Sequence, residues 1–108
     1  MGAGQLLGGL WALGRWTRSA EPLRCPAWAG AFDRIRGETG LTPRASLLLS
    51  NEAPAPLSWG WLRPVILIDP DTARRPQDAH AILAHEAAHI VRNDWPALIV
   101  ARAASDDA

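Results

Sequence analysis

His85, Glu86 and His89 form the motif His-Glu-x-x-His inside an Ala- and Ile-rich run, residues 78–91, whose composition predicts an α-helix. Residues four positions apart on a helix differ by about 40° in direction and by one turn, so both imidazoles can face one cation. Zn²⁺ best fits such a pair of ligands, and Glu86 is placed to hold a water molecule that the metal activates. The spacing predicts peptide-bond hydrolysis with His85 and His89 as metal ligands and Glu86 as general base.

An ordinary amphipathic helix with a polar stripe at the protein surface would explain the same three residues. A solvated helix face normally carries Lys, Glu or Gln, whereas Ala84 and Ala88 fill much of this one. We therefore interpret the three side chains as polar groups of a largely buried helix, which need a partner.

A catalytic zinc site normally uses three protein ligands, so one ligand remains to be found. The metzincin position, ten residues after the first histidine, is Trp95, which excludes that class. Asp94 points to another side of the helix, so we expect it to support a ligand or the structure rather than to bind metal. His80 lies about 140° away from His85 around the helix, and we expect a surface or capping histidine. No Glu follows Glu86, although a gluzincin site would need one on a later helix.

Composition limits the remaining function classes. The 108 residues suffice for one small domain, and 11 basic residues, all of them Arg, balance 11 acidic ones. A chain without net positive charge gives no support to a nucleic-acid partner. Cys25 is the single cysteine, which excludes an intrachain disulfide, and we expect it to be unreactive because no histidine lies near it in the sequence.

The N-terminal segment is apolar over residues 3–14 apart from Gln5, and it is too short to cross a bilayer alone, which takes about 20 residues. A signal peptide is disfavoured because no basic residue precedes this segment and no clear cleavage site follows it. We expect the end of a membrane helix with Arg15, Arg18 and Arg24 as its cytoplasmic flank. A short amphipathic helix packed on the domain is the alternative.

Between the two ends, hydrophobic periodicity predicts an α+β fold with a small three-stranded sheet packed on the zinc-binding HExxH helix, an N-terminal helix and a C-terminal apolar helix. The predicted elements are a helix over 26–38, strands over 45–50, 57–61 and 64–69, the zinc helix from Pro76 to about Asp94, a break at Pro96 and an apolar helix over 97–104. We divide the chain into a membrane or amphipathic segment with a basic linker, residues 1–24, and a metallopeptidase core that is incomplete at its C-terminus, residues 25–108.

Two phrases, GWLRPVILI at residues 60–68 and LAHEAAHIVRND at residues 83–94, give the sequence a specific resemblance. The chain resembles the BlaR/MecR-type membrane-anchored zinc peptidases, in which a phrase "G-x-x-x-P-v-I-x-l" precedes a helix reading "L-A-H-E-x-x-H-I-x-R-x-D". The resemblance spans roughly residues 45–100 and disfavours a soluble gluzincin, because both phrases occur in order.

The resemblance implies a zinc endopeptidase domain on the cytoplasmic side of the membrane, which transmits a signal by acting on a protein substrate such as a transcriptional repressor. It implies His85 and His89 as Zn²⁺ ligands and Glu86 as general base. The family's third ligand, a Glu on a later helix, has no counterpart among these 108 residues, so the chain resembles a truncated member. The alternative is an inactive fragment that acts only as a membrane-associated interaction module.

Overall fold

The computed structural model describes residues 2–60 and 62–92, with side chains from residue 8 onwards. Its elements are α1 (Gly2–Ser19), β1 (Glu21–Pro22), α2 (Pro26–Thr39), β2 (Ser46–Leu49), β3 (Leu57–Trp59), β4 (Val65–Ile68), α3 (Pro70–Ala73), a 3₁₀ turn (Pro76–Asp78) and α4 (Ala79–Arg92). This part of the chain therefore has the predicted α+β class. Asp94, Trp95, the break at Pro96 and the C-terminal apolar helix lie outside the described residues.

The sheet is mixed, with the strand order β1-β2-β4-β3. β4 is central: it pairs in parallel with β2 and antiparallel with β3, whereas β1 pairs antiparallel with β2. The three predicted strands are all present, but the prediction of a three-stranded sheet is wrong because β1 adds a fourth. Pro22 belongs to this two-residue strand, and a proline without an N–H gives no sequence signal for a strand.

Alternate side chains of β4 face opposite sides of the sheet, as the pleat requires. Ile66 and Ile68 belong to an apolar cluster with α2 and α4, whereas Leu67 belongs to a second cluster with Leu13 of α1 and Leu57 of β3. The sheet therefore lies between α1 on one side and the α2–α4 pair on the other.

α2 forms as its periodicity predicts. Trp28, Phe32 and Ile35, spaced by four and three residues, are buried on one face of this helix. The helix ends where Gly40 adopts the left-handed conformation, with φ of 73°, and its N–H donates to the carbonyl of Arg36. α2 thereby covers the same face of the sheet as the helix that carries the HExxH motif.

α1 contacts the opposite face mainly through Leu13, which is fully buried in the second cluster, while Trp11 is exposed to solvent. Among the helices formed by residues 2–60 and 62–92, none combines the length and the apolar character needed to span a bilayer.

Two short elements, α3 and the 3₁₀ turn, lie between β4 and α4. The carboxylate of Asp69 caps α3 by accepting hydrogen bonds from the N–H and the hydroxyl of Thr72. Pro76 opens the 3₁₀ turn that leads directly into α4, so the first helical residue of α4 is Ala79 rather than Pro76. α3 and the 3₁₀ turn thus connect the end of β4 to the start of α4.

Candidate metal centre

α4 is anchored by an apolar stripe and presents polar groups beside it. Leu83, Ala87 and Ile90 are buried in the cluster shared with α2 and the sheet. Glu86 lies three residues after Leu83 and four before Ile90, so it falls on the buried side of the helix and is only 5% exposed. His89 is half-buried and His85 is exposed. Of the three polar groups that the sequence places on a largely buried helix, Glu86 is therefore the buried one, whereas His85 reaches the surface.

The two histidines converge. Their Nε2 atoms lie 3.0 Å apart, and their rings meet edge to face with centroids 4.4 Å apart. One turn of helix thus brings two potential metal-binding nitrogens to the same point, as the spacing predicts.

This separation can be compared with what a shared metal requires. Two nitrogen ligands at about 2.0–2.1 Å from a tetrahedral zinc ion lie about 3.3 Å apart. The observed 3.0 Å differs from that value by a small rotation of either ring. The same distance also suits a direct hydrogen bond between two neutral imidazoles, which a metal ion would replace. The Nε2 separation of the pair is therefore close to the one that a shared divalent cation requires.

Glu86 carries the carboxylate next to this pair in the sequence, and it lines the same cleft as His85. Within residues 2–60 and 62–92, no hydrogen bond or ion pair engages the carboxylate of Glu86, although its backbone carbonyl accepts a hydrogen bond from the Ser58 hydroxyl at 3.4 Å. A carboxylate that is buried and unengaged by the described residues can accept a proton from a small molecule that enters beside it.

Such an entrance exists as an open cleft of about 390 Å³. One wall is formed by Ala55 and Pro56, at the end of the segment that joins β2 to β3. The other wall belongs to α4, with Ala81, Ile82, His85 and Glu86 as its lining residues. Sequence analysis did not identify Ala55, Pro56 or Ser58 as site residues, because their place beside α4 depends on pairing across about 30 residues of chain that no local pattern encodes.

The other candidate residues lie apart from the cleft. His80 is exposed on α4, where its Nε2 lies 3.0 Å from Oε1 of Glu38 on α2, so the prediction of a surface histidine is confirmed. Cys25 is exposed at the N-terminus of α2.

The residues that the structure describes contain no group of three His, Cys, Asp or Glu side chains placed to hold a metal ion. The described residues thus bring two imidazole nitrogens together without forming a complete metal site.

No protein-family model matches the sequence, and no curated protein matches it significantly.

Proposed function

We propose that this chain belongs to a zinc-dependent endopeptidase of the membrane-anchored, signal-transducing type to which its sequence is similar. The supporting observation is the convergence of the His85 and His89 Nε2 atoms to 3.0 Å, with the buried Glu86 lining the same cleft as His85. The proposed substrate is a protein or peptide such as a transcriptional repressor, and the proposed location is the cytoplasmic side of the cell membrane.

In this proposal His85 and His89 hold Zn²⁺, which when bound acts as a Lewis acid on water and on the scissile carbonyl. Glu86 accepts the proton of the attacking water and returns it to the departing amine. Glu86 is buried as a residue but lines the open cleft, which gives water and substrate access to it. A third protein ligand would come from outside residues 2–60 and 62–92.

The sheet offers one place for an extended substrate beside the site. β3 is an edge strand next to α4, and a peptide can add to such an edge by backbone hydrogen bonds. β4 (Val65–Ile68) offers no such edge, because it is paired with a strand on both sides. β3 is therefore the substrate edge in our proposal.

The decisive experiment replaces Glu86 with Gln in the complete gene product. We expect zinc content to stay at one ion per chain while proteolysis falls by about 10²- to 10⁴-fold, the usual contribution of a general base. Glu38→Gln is the matched control, because this exposed Glu lies beside His80 rather than in the cleft. Loss of zinc from Glu86→Gln with proteolysis intact would refute the assignment.

A non-catalytic role is the second candidate, and the lack of a three-residue ligand group among the described residues favours it. In that case the chain is an interaction module with a remnant of a metal site. Zinc titration separates the two candidates. Tight binding of one ion per chain supports the peptidase, whereas weak binding without proteolysis supports the interaction module, since two histidines alone hold zinc poorly.

A further inference from the structure

We infer that the hydrogen bond between Thr17 of α1 and Trp59 of β3 positions the substrate edge of the cleft. The inference rests on the proposed function, because it assigns these two residues a part in holding the strand that would receive the substrate. Both are positioning residues: they lie on the side of the sheet opposite to α4 and act through β3.

The contact is a two-step chain of hydrogen bonds. The indole N–H of Trp59 donates to the Thr17 hydroxyl at 3.0 Å, and that hydroxyl donates to the carbonyl of Leu13 at 2.7 Å. The second bond fixes the hydroxyl so that its lone pair faces the indole. Leu13 itself packs with Leu57 and Trp59, so α1 holds the edge strand by apolar and polar contacts together.

α1 also holds the chain that enters this strand. The carboxylate of Glu52 accepts hydrogen bonds from Arg15 at 3.1 Å and from the hydroxyl of Ser19 at 3.2 Å. The segment between Glu52 and Trp59 is therefore tied to α1 near both ends.

The segment held in this way contains one wall of the cleft. Ala55 and Pro56 lie between the two tethers and face His85 and Glu86 across the opening. The opposite wall, α4, is packed instead on α2 and on the other face of the sheet. The two walls of the cleft thus rest on helices on opposite sides of the sheet, and α1 is the helix that contacts the β3 side.

Thr17→Val tests this inference, and the chain provides a matched control. Thr39 on α2 makes the same bond, hydroxyl to the carbonyl four residues earlier at 2.7 Å, without an indole donor, so Thr39→Val removes only the helix bond. We expect Thr17→Val to speed hydrogen exchange of the β3 amides by about two- to tenfold, the effect of one lost hydrogen bond. Thr39→Val should leave these amides unchanged.

Two further variants show whether the indole contact is responsible. Thr17→Ser keeps the hydroxyl and should restore slow exchange. Trp59→Phe should reproduce the effect of Thr17→Val, and the double variant should exchange no faster than either single variant. In active protein, Thr17→Val should raise KM for an extended peptide by about two- to tenfold and leave kcat and zinc content unchanged, because the metal ligands lie on α4.

The inference is overturned if Thr17→Val and Thr39→Val give the same β3 exchange, or if kcat falls with KM unchanged. A protein without proteolysis would instead refute the proposed function, and the exchange experiment would still decide whether α1 positions β3.

Discussion

The hydroxyl of Ser58 donates a hydrogen bond to the backbone carbonyl of Glu86 at 3.4 Å, so the edge strand and the helix of the candidate centre meet at the residue proposed as general base. Ser58 is buried and small, and it faces α4 from β3. The closeness of strand and helix depends on this small side chain.

Enlarging Ser58 should separate β3 from α4. Ser58→Leu overpacks the junction and should lower the free energy of unfolding by about 1–3 kcal/mol. Ser58→Ala removes only a long hydrogen bond and should cost about 0.5–1.5 kcal/mol. Urea denaturation followed by tryptophan fluorescence measures both. A Leu variant as stable as the Ala variant would show that the junction is loosely packed.

The histidine pair should control metal affinity. His85→Ala and His89→Ala should each weaken Zn²⁺ binding by more than about a hundredfold, beyond the usual effect of residues that merely support a ligand. His80→Ala is the control on the same helix, because His80 lies beside Glu38 and away from the pair. Competition with a chromophoric chelator measures the affinities. An equal loss of Zn²⁺ affinity in all three variants would contradict a metal site formed by His85 and His89.

The stability of α4 should depend on its buried stripe. Leu83 is fully buried between the helix and the sheet, so Leu83→Ala should lower the free energy of unfolding by about 2–5 kcal/mol. Val91 on the same helix is 53% exposed, so Val91→Ala should change the free energy of unfolding by less than about 0.5 kcal/mol. Denaturation midpoints measure the stability of both variants. A large loss of stability in Val91→Ala, without one in Leu83→Ala, would mean that the helix packs through a different face.

The connection between β3 and β4 should require glycine at its first residue. Gly60 has φ of 95°, and an added Cβ would lie 3.2 Å from the carbonyl oxygen of Arg63. Gly60→Ala should therefore destabilise the protein by about 1–3 kcal/mol. Gly30 lies in the middle of α2, and an added Cβ there would meet no neighbouring atom, so this position does not require glycine. Gly30→Ala should stabilise by about 0.5–1 kcal/mol in thermal denaturation, and a similar sign for both variants would argue against the positive φ.

The spacing of residues along the sequence was enough to predict the helices and strands that are determined by nearby residues. The helical spacing of His85 and His89 predicts that their rings face one point, and the apolar run of β4 predicts a buried strand. The helical spacing also indicates why Glu86 is buried and His85 is not. Of these two residues, only Glu86 lies on the same face of α4 as Leu83 and Ile90.

Other parts depend on contacts between distant segments. β1 is two residues long and is held by pairing with β2 rather than by any propensity of Glu21 or Pro22. The cleft wall at Ala55 and Pro56 is brought to α4 by the order of the strands, in which β3 lies outside β4 although it precedes it in the chain. Proline-containing connections of this kind give a turn signal but do not indicate what they will face.

The alternation of β4 also determines where the length of this chain can change. Deleting one residue inside Val65–Ile68 would turn the strand residues on one side of the deletion to the opposite face, where a different helix fills the core. Insertions and deletions should therefore be rejected within this strand. Leu62 and Arg63 are exposed in the connection ahead of it, so a tag or an added loop should be tolerated there better than within the strand.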